Sequence, residues 1–159
     1  MEKINQGRVE RFVEKIRNEL WVVRGKTIAV WGLAFKPNTD DIRFAPSIVI
    51  LKALLGEGAV IRAYDFEVME KASAVLPDVR YCTDAYEAAE GADAILLLTE
   101  WDEFRNIDWS RLATVVERQL IIDGRNALSR QEVASYGFHY VGIGGVSATR
   151  QVAASPIAT

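Results

Sequence analysis

The sequence is poor in the residues that make a site by themselves. It holds one cysteine, Cys82, and one histidine, His139, in 159 residues. A single cysteine excludes an internal disulfide, and its absence fits a reducing compartment. One cysteine and one histidine also leave no clustered set with metal-ligand spacing. No basic surplus exists: 19 lysines and arginines face 22 acids, for a net charge of -3. That balance argues against a nucleic-acid partner, whose phosphates demand an excess of cations. Apolar runs are short, Ala94 to Leu98 being typical, and a bilayer span needs about 20 residues. The first residues, MEKINQGRVE, are charged and lack the apolar centre of a secretion signal. These absences predict a cytoplasmic protein with neither membrane nor nucleic acid as partner. Neither a Walker loop nor a nucleophile elbow occurs, and no base lies near Cys82 in sequence.

What is present is an ordinary globular composition, 50% hydrophobic and 26% charged, in a chain long enough for one domain with a sizeable core. Residues Glu2–Leu20 read as a helix. Val9, Phe12, Val13, Ile16 and Leu20 recur at spacings of three and four and form one stripe, which packs either on the domain or on a second chain. From Gly25 onward short apolar runs alternate with helical patterns. Strands are expected at Thr27–Trp31, Val60–Tyr64, Val79–Cys82, Ala94–Thr99, Leu120–Asp123 and Phe138–Ile143. Helices are expected at Pro46–Leu55, Phe66–Leu76, Asp84–Glu90, Trp109–Glu117 and Arg130–Tyr136. Asp84 suits a helix cap and Pro46 a first helical position. About six strands separated by helices predict an α/β fold: a doubly wound, Rossmann-like parallel sheet preceded by a helix. The tail beyond Gly144 is small and polar and is expected to fray.

In such a sheet ligands sit beyond the carboxyl ends of the strands, where strand order reverses. The loops after the first and fourth strands, Gly32–Ala45 and Glu100–Asn106, are the places to look. The first carries Gly32-Leu33-Ala34-Phe35-Lys36-Pro37 rather than a G-x-G-x-x-G fingerprint. With one glycine the backbone cannot cradle a pyrophosphate. Lys36 and Arg43 in this loop are either side-chain ligands for a phosphate or solvated surface charges, and Asp40 and Asp41 beside them would repel a phosphate or orient the cations. After the fifth strand, Gly124 permits a sharp turn that aims Arg125 over the sheet edge; otherwise Arg125 pairs with Asp123 at the surface. Trp101 and Phe104 either stack on a base or cover the core edge. Asp65, ending the second strand, suits a ribose or a helix cap. His139 reads as a packed or edge residue.

The run Trp31-Gly32-Leu33-Ala34-Phe35-Lys36-Pro37-Asn38-Thr39-Asp40-Asp41-Ile42-Arg43 resembles the start of the UDP-binding domain of UDP-glucose 6-dehydrogenases and related nucleotide-sugar dehydrogenases. So do Thr99-Glu100-Trp101-Asp102-Glu103-Phe104, Asp123-Gly124-Arg125-Asn126 and Tyr140-Val141-Gly142-Ile143-Gly144. The resemblance covers residues 1 to 145. It implies a UDP-sugar substrate contacted by Phe35, Lys36 and Arg125, and an arginine, Arg43, that reaches the NAD pyrophosphate. NAD itself would be bound mainly by a separate N-terminal domain, which would also carry the catalytic cysteine; Cys82 does not match that motif. The family oxidises the sugar C6 alcohol to a carboxylate in two NAD-dependent steps. In these terms residues 1–24 are the end of an interdomain and dimerisation helix, 25–145 the UDP-sugar-binding domain and 146–159 a flexible tail. The expected assembly is a homodimer through the N-terminal helix. Where the family usually has Glu-Ser-Pro, this chain has Phe44-Ala45-Pro46. By this resemblance the chain is inactive alone. The competing readings are a stand-alone dimerisation or regulatory module, a GDP-mannose or UDP-N-acetylmannosamine dehydrogenase domain, and an independent NAD- or CoA-binding domain.

Overall fold

The computed structural model describes residues 2–33, 46–65, 69–99 and 101–142. Helix α1 (Glu2–Leu20) precedes six strands, β1 (Thr27–Trp31), β2 (Val60–Tyr64), β3 (Arg80–Tyr81), β4 (Ala94–Leu97), β5 (Leu120–Asp123) and β6 (His139–Gly142). Between them lie α2 (Pro46–Gly56), α3 (Met69–Val75), α4 (Ala85–Ala89), α5 (Asp102–Arg105), α6 (Trp109–Val115) and α7 (Arg130–Ser135). The strands form one parallel sheet in the order β3-β2-β1-β4-β5-β6. This is the doubly wound order that the alternation of strands and helices predicts.

The central strands β1, β4 and β5 are apolar because both their faces are covered. Side chains alternate between two cores. Ile28, Val30, Ile61, Leu96 and Ile122 join the core on the side of α1 and α2. Ala29, Trp31, Ile95, Leu97 and Ile121 join the other, with Phe104, Trp109 and Phe138. In that second core Trp31 stacks on Phe104, with ring centroids 5.3 Å apart, and its indole N–H donates to the Ala85 carbonyl.

The stripe of α1 packs on the domain. Val9, Phe12, Val13, Ile16 and Leu20 are all buried in the same core as α2 and the sheet. Polar ties lock the helix further. Arg17 Nε donates to Glu57 at 2.7 Å, Lys15 Nζ to the Gly142 carbonyl at 2.8 Å, and Arg118 to the Glu19 carbonyl at 3.0 Å. His139, on the edge strand, lies 3.3 Å from the Glu19 carboxylate.

Element bounds differ from expectation mainly at ends. Strand β3 is two residues long, and Cys82 lies just beyond it, buried. Strand β4 stops at Leu97, and α6 stops at Val115. The short helix α5 was not expected; it opens at Trp101, whose side chain makes no cap bond, so it lacks the polar start signal that marks α4, α6 and α7. Asp84 caps α4 as expected, accepting the Glu87 N–H at 2.7 Å. The proposed start of α3 at Phe66, the last residue of β6 at Ile143 and the tail 146–159 lie outside the described residues.

Candidate functional site

Strand β1 pairs with β2 on one side and β4 on the other, so the order reverses between β1 and β4. The carboxyl ends of these strands are tightly bound to one another. Gly32 N–H donates to the Tyr64 carbonyl at 2.7 Å. Gly32 has φ +86°, and a Cβ placed there would lie 2.4 Å from Thr99 Cβ. Only glycine fits, because the β4 loop presses against the backbone. Leu33, fully buried, is held at both polar atoms: its N–H donates to Asp65 Oδ2 at 3.0 Å, and its carbonyl accepts the Ser47 hydroxyl at the start of α2. The same Asp65 oxygen accepts the Trp101 indole N–H at 3.2 Å. Asp65 is itself 1% exposed.

A second acid organises the neighbouring turn. Asp123 ends β5 and is fully buried. Its Oδ1 accepts the Arg125 N–H at 3.0 Å, and its Oδ2 accepts the Leu128 N–H at 2.8 Å and the Tyr140 hydroxyl at 2.8 Å. Burial, together with the bond to Asp123, pushes the Tyr140 phenol well above its ordinary value. Arg130 lies over the Tyr140 ring, 5.0 Å from its centroid. The left-handed residue of this turn is Asn126, at φ +52°, rather than Gly124. Gly124 is needed for space, since a Cβ would meet the Leu97 carbonyl at 3.0 Å and the Phe12 ring at 3.2 Å. Arg125 stands exposed on this turn, beside the carboxyl end of β4, to which Gly124 N–H is bonded through the Leu97 carbonyl at 2.8 Å.

Of the residues singled out in the sequence, Arg125 is therefore at a strand's carboxyl end. Phe35, Lys36 and Arg43, with Asp40, Asp41 and Glu100, lie outside the described residues. Phe104 is fully buried in the core, whereas Trp101 is partly exposed and turned to Asp65. Sequence reasoning did not find the roles of Asp65, Ser47 and Asp123.

Residues 29–130 match the UDP binding domain of the UDP-glucose/GDP-mannose dehydrogenase family. The chain belongs to that family. A UDP-glucose 6-dehydrogenase of Rhizobium meliloti is 46% identical over 122 residues, which cover 77% of this chain and 28% of that protein. The UDP-glucose 6-dehydrogenase TuaD of Bacillus subtilis is 41% identical over 141 residues, covering 88% of this chain and 31% of the relative. The solved structure of a UDP-glucose dehydrogenase from Pyrobaculum islandicum superposes with a TM-score of 0.70 at 30% identity, over 88% of this chain and 30% of that one. The chain thus spans about a third of the length of the relatives it matches.

The described residues at the end of β1 do not form a dinucleotide seat. The fingerprint that cradles a pyrophosphate needs open backbone at its glycines, and at Gly32 that space is filled by Thr99. The acid that would hold a ribose, Asp65, is already bonded to Leu33 and Trp101. The described residues therefore do not fit NAD. Cys82 is 2% exposed, and burial pushes its thiol up, away from the reactive thiolate. Among the described residues no group of three or more His, Cys, Asp or Glu side chains could hold a metal ion, and no helix is long and apolar enough to cross a membrane.

Proposed function

We propose that this chain is the nucleotide-sugar-binding part of an NAD-dependent 6-dehydrogenase acting on UDP-glucose and forming UDP-glucuronate. The observation that carries the reading is the match to the UDP binding domain from β1 to the start of α7. Phe35, Lys36 and Arg125 are assigned to the UDP-sugar and Arg43 to the pyrophosphate of NAD held by another domain. The work of this chain is binding and orientation. Arginine and lysine side chains replace the glycine cradle that the fold lacks, each charge-assisted contact being worth about 1.5–3 kcal/mol before ordering costs. Hydride acceptance and thiol chemistry belong to the remainder of the enzyme, so the chain alone turns nothing over.

Calorimetry with UDP, UDP-glucose, GDP-mannose and NAD tests this. Heat with UDP and UDP-glucose, none with NAD, and weaker binding in Lys36→Ala and Arg125→Ala are expected. Equal heats for all four ligands, or variants that bind as the parent does, would overturn it. Preference for GDP-mannose would move the assignment to that branch of the family.

The homodimer through α1 is also part of the proposal. Since the apolar stripe is covered by the chain itself, the contact falls to the exposed face carrying Glu10, Arg11, Glu14 and Asn18. Removing residues 1–20 would uncover the core, so the fitting test is charge reversal at Arg11 followed by light scattering. A mass unchanged by reversal would refute that face.

A further inference from the structure

We infer that Asp65 is a positioning residue for the nucleotide site, a single buried acceptor that ties the loop after β1 to the loop after β4. This deepens the proposed function and rests on it. The two loops lie on either side of the switch point, where a ligand of this fold must sit. They are joined through one atom. Asp65 Oδ2 accepts the Leu33 N–H at 3.0 Å from one loop and the Trp101 indole N–H at 3.2 Å from the other, with partners 32 and 36 residues away in sequence. Leu33 cannot swing about this bond, because its carbonyl is held by Ser47 and its neighbour Gly32 is wedged against Thr99. Asp65 at 1% exposure and Ser47 at 1% are screened from water, which would otherwise compete for these donors. At this strand end a dinucleotide-binding sheet would offer its acid to a ribose. Here the acid faces inward and sets the spacing of the loops. Residues 34–45, which carry Phe35, Lys36 and Arg43, continue directly from the fixed Leu33. Side chains on the loop after β1 grip a ligand well only if the base of that loop is already fixed.

The shared acceptor makes a specific forecast. Alanine at position 65 can accept neither donor. Trp101→Phe removes one donor and keeps an aromatic ring. UDP affinity of the 159-residue chain is measured by calorimetry at a temperature where circular dichroism shows each variant folded. Asp65→Ala should weaken UDP at least tenfold and Trp101→Phe about threefold. Proton exchange read by NMR at the Leu33 amide and the Trp101 indole should accelerate together in Asp65→Ala, with the Val30 amide unchanged. A purely structural role would lower the melting temperature and leave the affinity of the folded protein alone, and that result overturns the inference. So does an Asp65→Ala variant in which the Leu33 and Trp101 protons exchange as in the parent. If Asp65→Ala does not fold, Trp101→Phe decides: parental affinity with parental exchange at Leu33 refutes the tie. A parent chain that gives no heat with UDP overturns the functional reading instead, and is thereby told apart from a failure of the tie alone.

Discussion

The most exposed consequence of this architecture concerns Asp123. Its two carboxylate oxygens take three donors, the Arg125 and Leu128 amides and the Tyr140 hydroxyl. Tyr140→Phe removes one donor and leaves the acid bonded to two, so the cost is that of one hydrogen bond to a charged group, about 1.5 kcal/mol. Asp123→Asn is worse despite its similar shape. With its oxygen in the Oδ2 position it meets Leu128 and Tyr140, but its amide then faces the Arg125 N–H, donor against donor. Turned the other way, its amide faces the Leu128 N–H, donor against donor, while the Tyr140 hydroxyl turns to accept. The lesser conflict should cost about 2–3 kcal/mol, and Asp123→Ala, which orphans three donors in a buried place, about 3–5 kcal/mol. For a chain of this length 1 kcal/mol lowers the melting temperature by about 2–4 °C. Calorimetric melting at pH 7 should therefore rank the parent, Tyr140→Phe, Asp123→Asn and Asp123→Ala in falling order. UDP affinity should fall several-fold in Asp123→Asn but little in Tyr140→Phe, because only the former frees the main chain at Arg125. An asparagine variant melting within a degree of the parent, or a phenylalanine variant that loses as much ligand affinity, would refute the account of this turn.

Other expectations follow from single features. Gly32→Ala combines φ +86° with a 2.4 Å approach to Thr99 and should lower stability by about 3 kcal/mol or more; a melt within 2 °C of the parent would contradict the packing at the switch point. Trp21 adopts φ +67° just after α1 and is 90% exposed, so Trp21→Gly should stabilise by about 1 kcal/mol, seen as a rise in urea midpoint. Tyr64 and Tyr81 are pushed up to about 12, chiefly by burial, and Tyr140 also moves upward. A phenol raised in the folded state stabilises fully below its unfolded value near 10 and loses that contribution as pH rises through the folded value. Stability should hold up to about pH 10 and fall from there toward pH 12 and beyond, with ultraviolet absorbance showing these phenolates forming late; early ionisation of all five tyrosines would contradict it. Cys82 should react slowly with a thiol reagent in buffer and fast in denaturant.

How far the sequence alone reaches can be seen residue by residue. Strands β1, β2 and β5 begin and end where expected: β1 and β5 are almost entirely apolar because both their faces are covered, while β2, with Val60 exposed and Arg62 at its centre, is bounded by Gly58 before it and Asp65 after it. The stripe on α1 was legible as a stripe, but its partner was not, since periodicity says which face is apolar and nothing about what covers it. Helix α5 escaped because four residues without a capping side chain leave no periodic signal. The place of Arg125 at the carboxyl end of β5 was legible from the apolar run before it, while its assignment to a ligand rests on the family resemblance. Asp65 and Asp123 illustrate the limit. An acid at a strand's end reads alike whether it meets a ribose, a helix or its own loops, and the donors that decide for Asp65 lie 32 and 36 residues away. Likewise the glycine of the 123–126 turn drew attention, while the left-handed position fell to Asn126, a residue type that tolerates that region almost as well.

The single glycine after β1 ties these observations to the chemistry. In a dinucleotide-binding sheet the glycines there leave backbone bare, so that a pyrophosphate can approach the main chain between the two central strands. In this chain the corresponding gap is closed from within: Thr99 comes against Gly32, and Leu33 is anchored to Asp65 and Ser47. Under the proposed function a diphosphate is gripped from above, by side chains that reach over the rim. That arrangement needs long cations on the loops, and it needs loops whose bases do not move. The buried acids supply the second requirement, one at β2 and one at β5, each satisfied by donors from the loops themselves rather than by ligand.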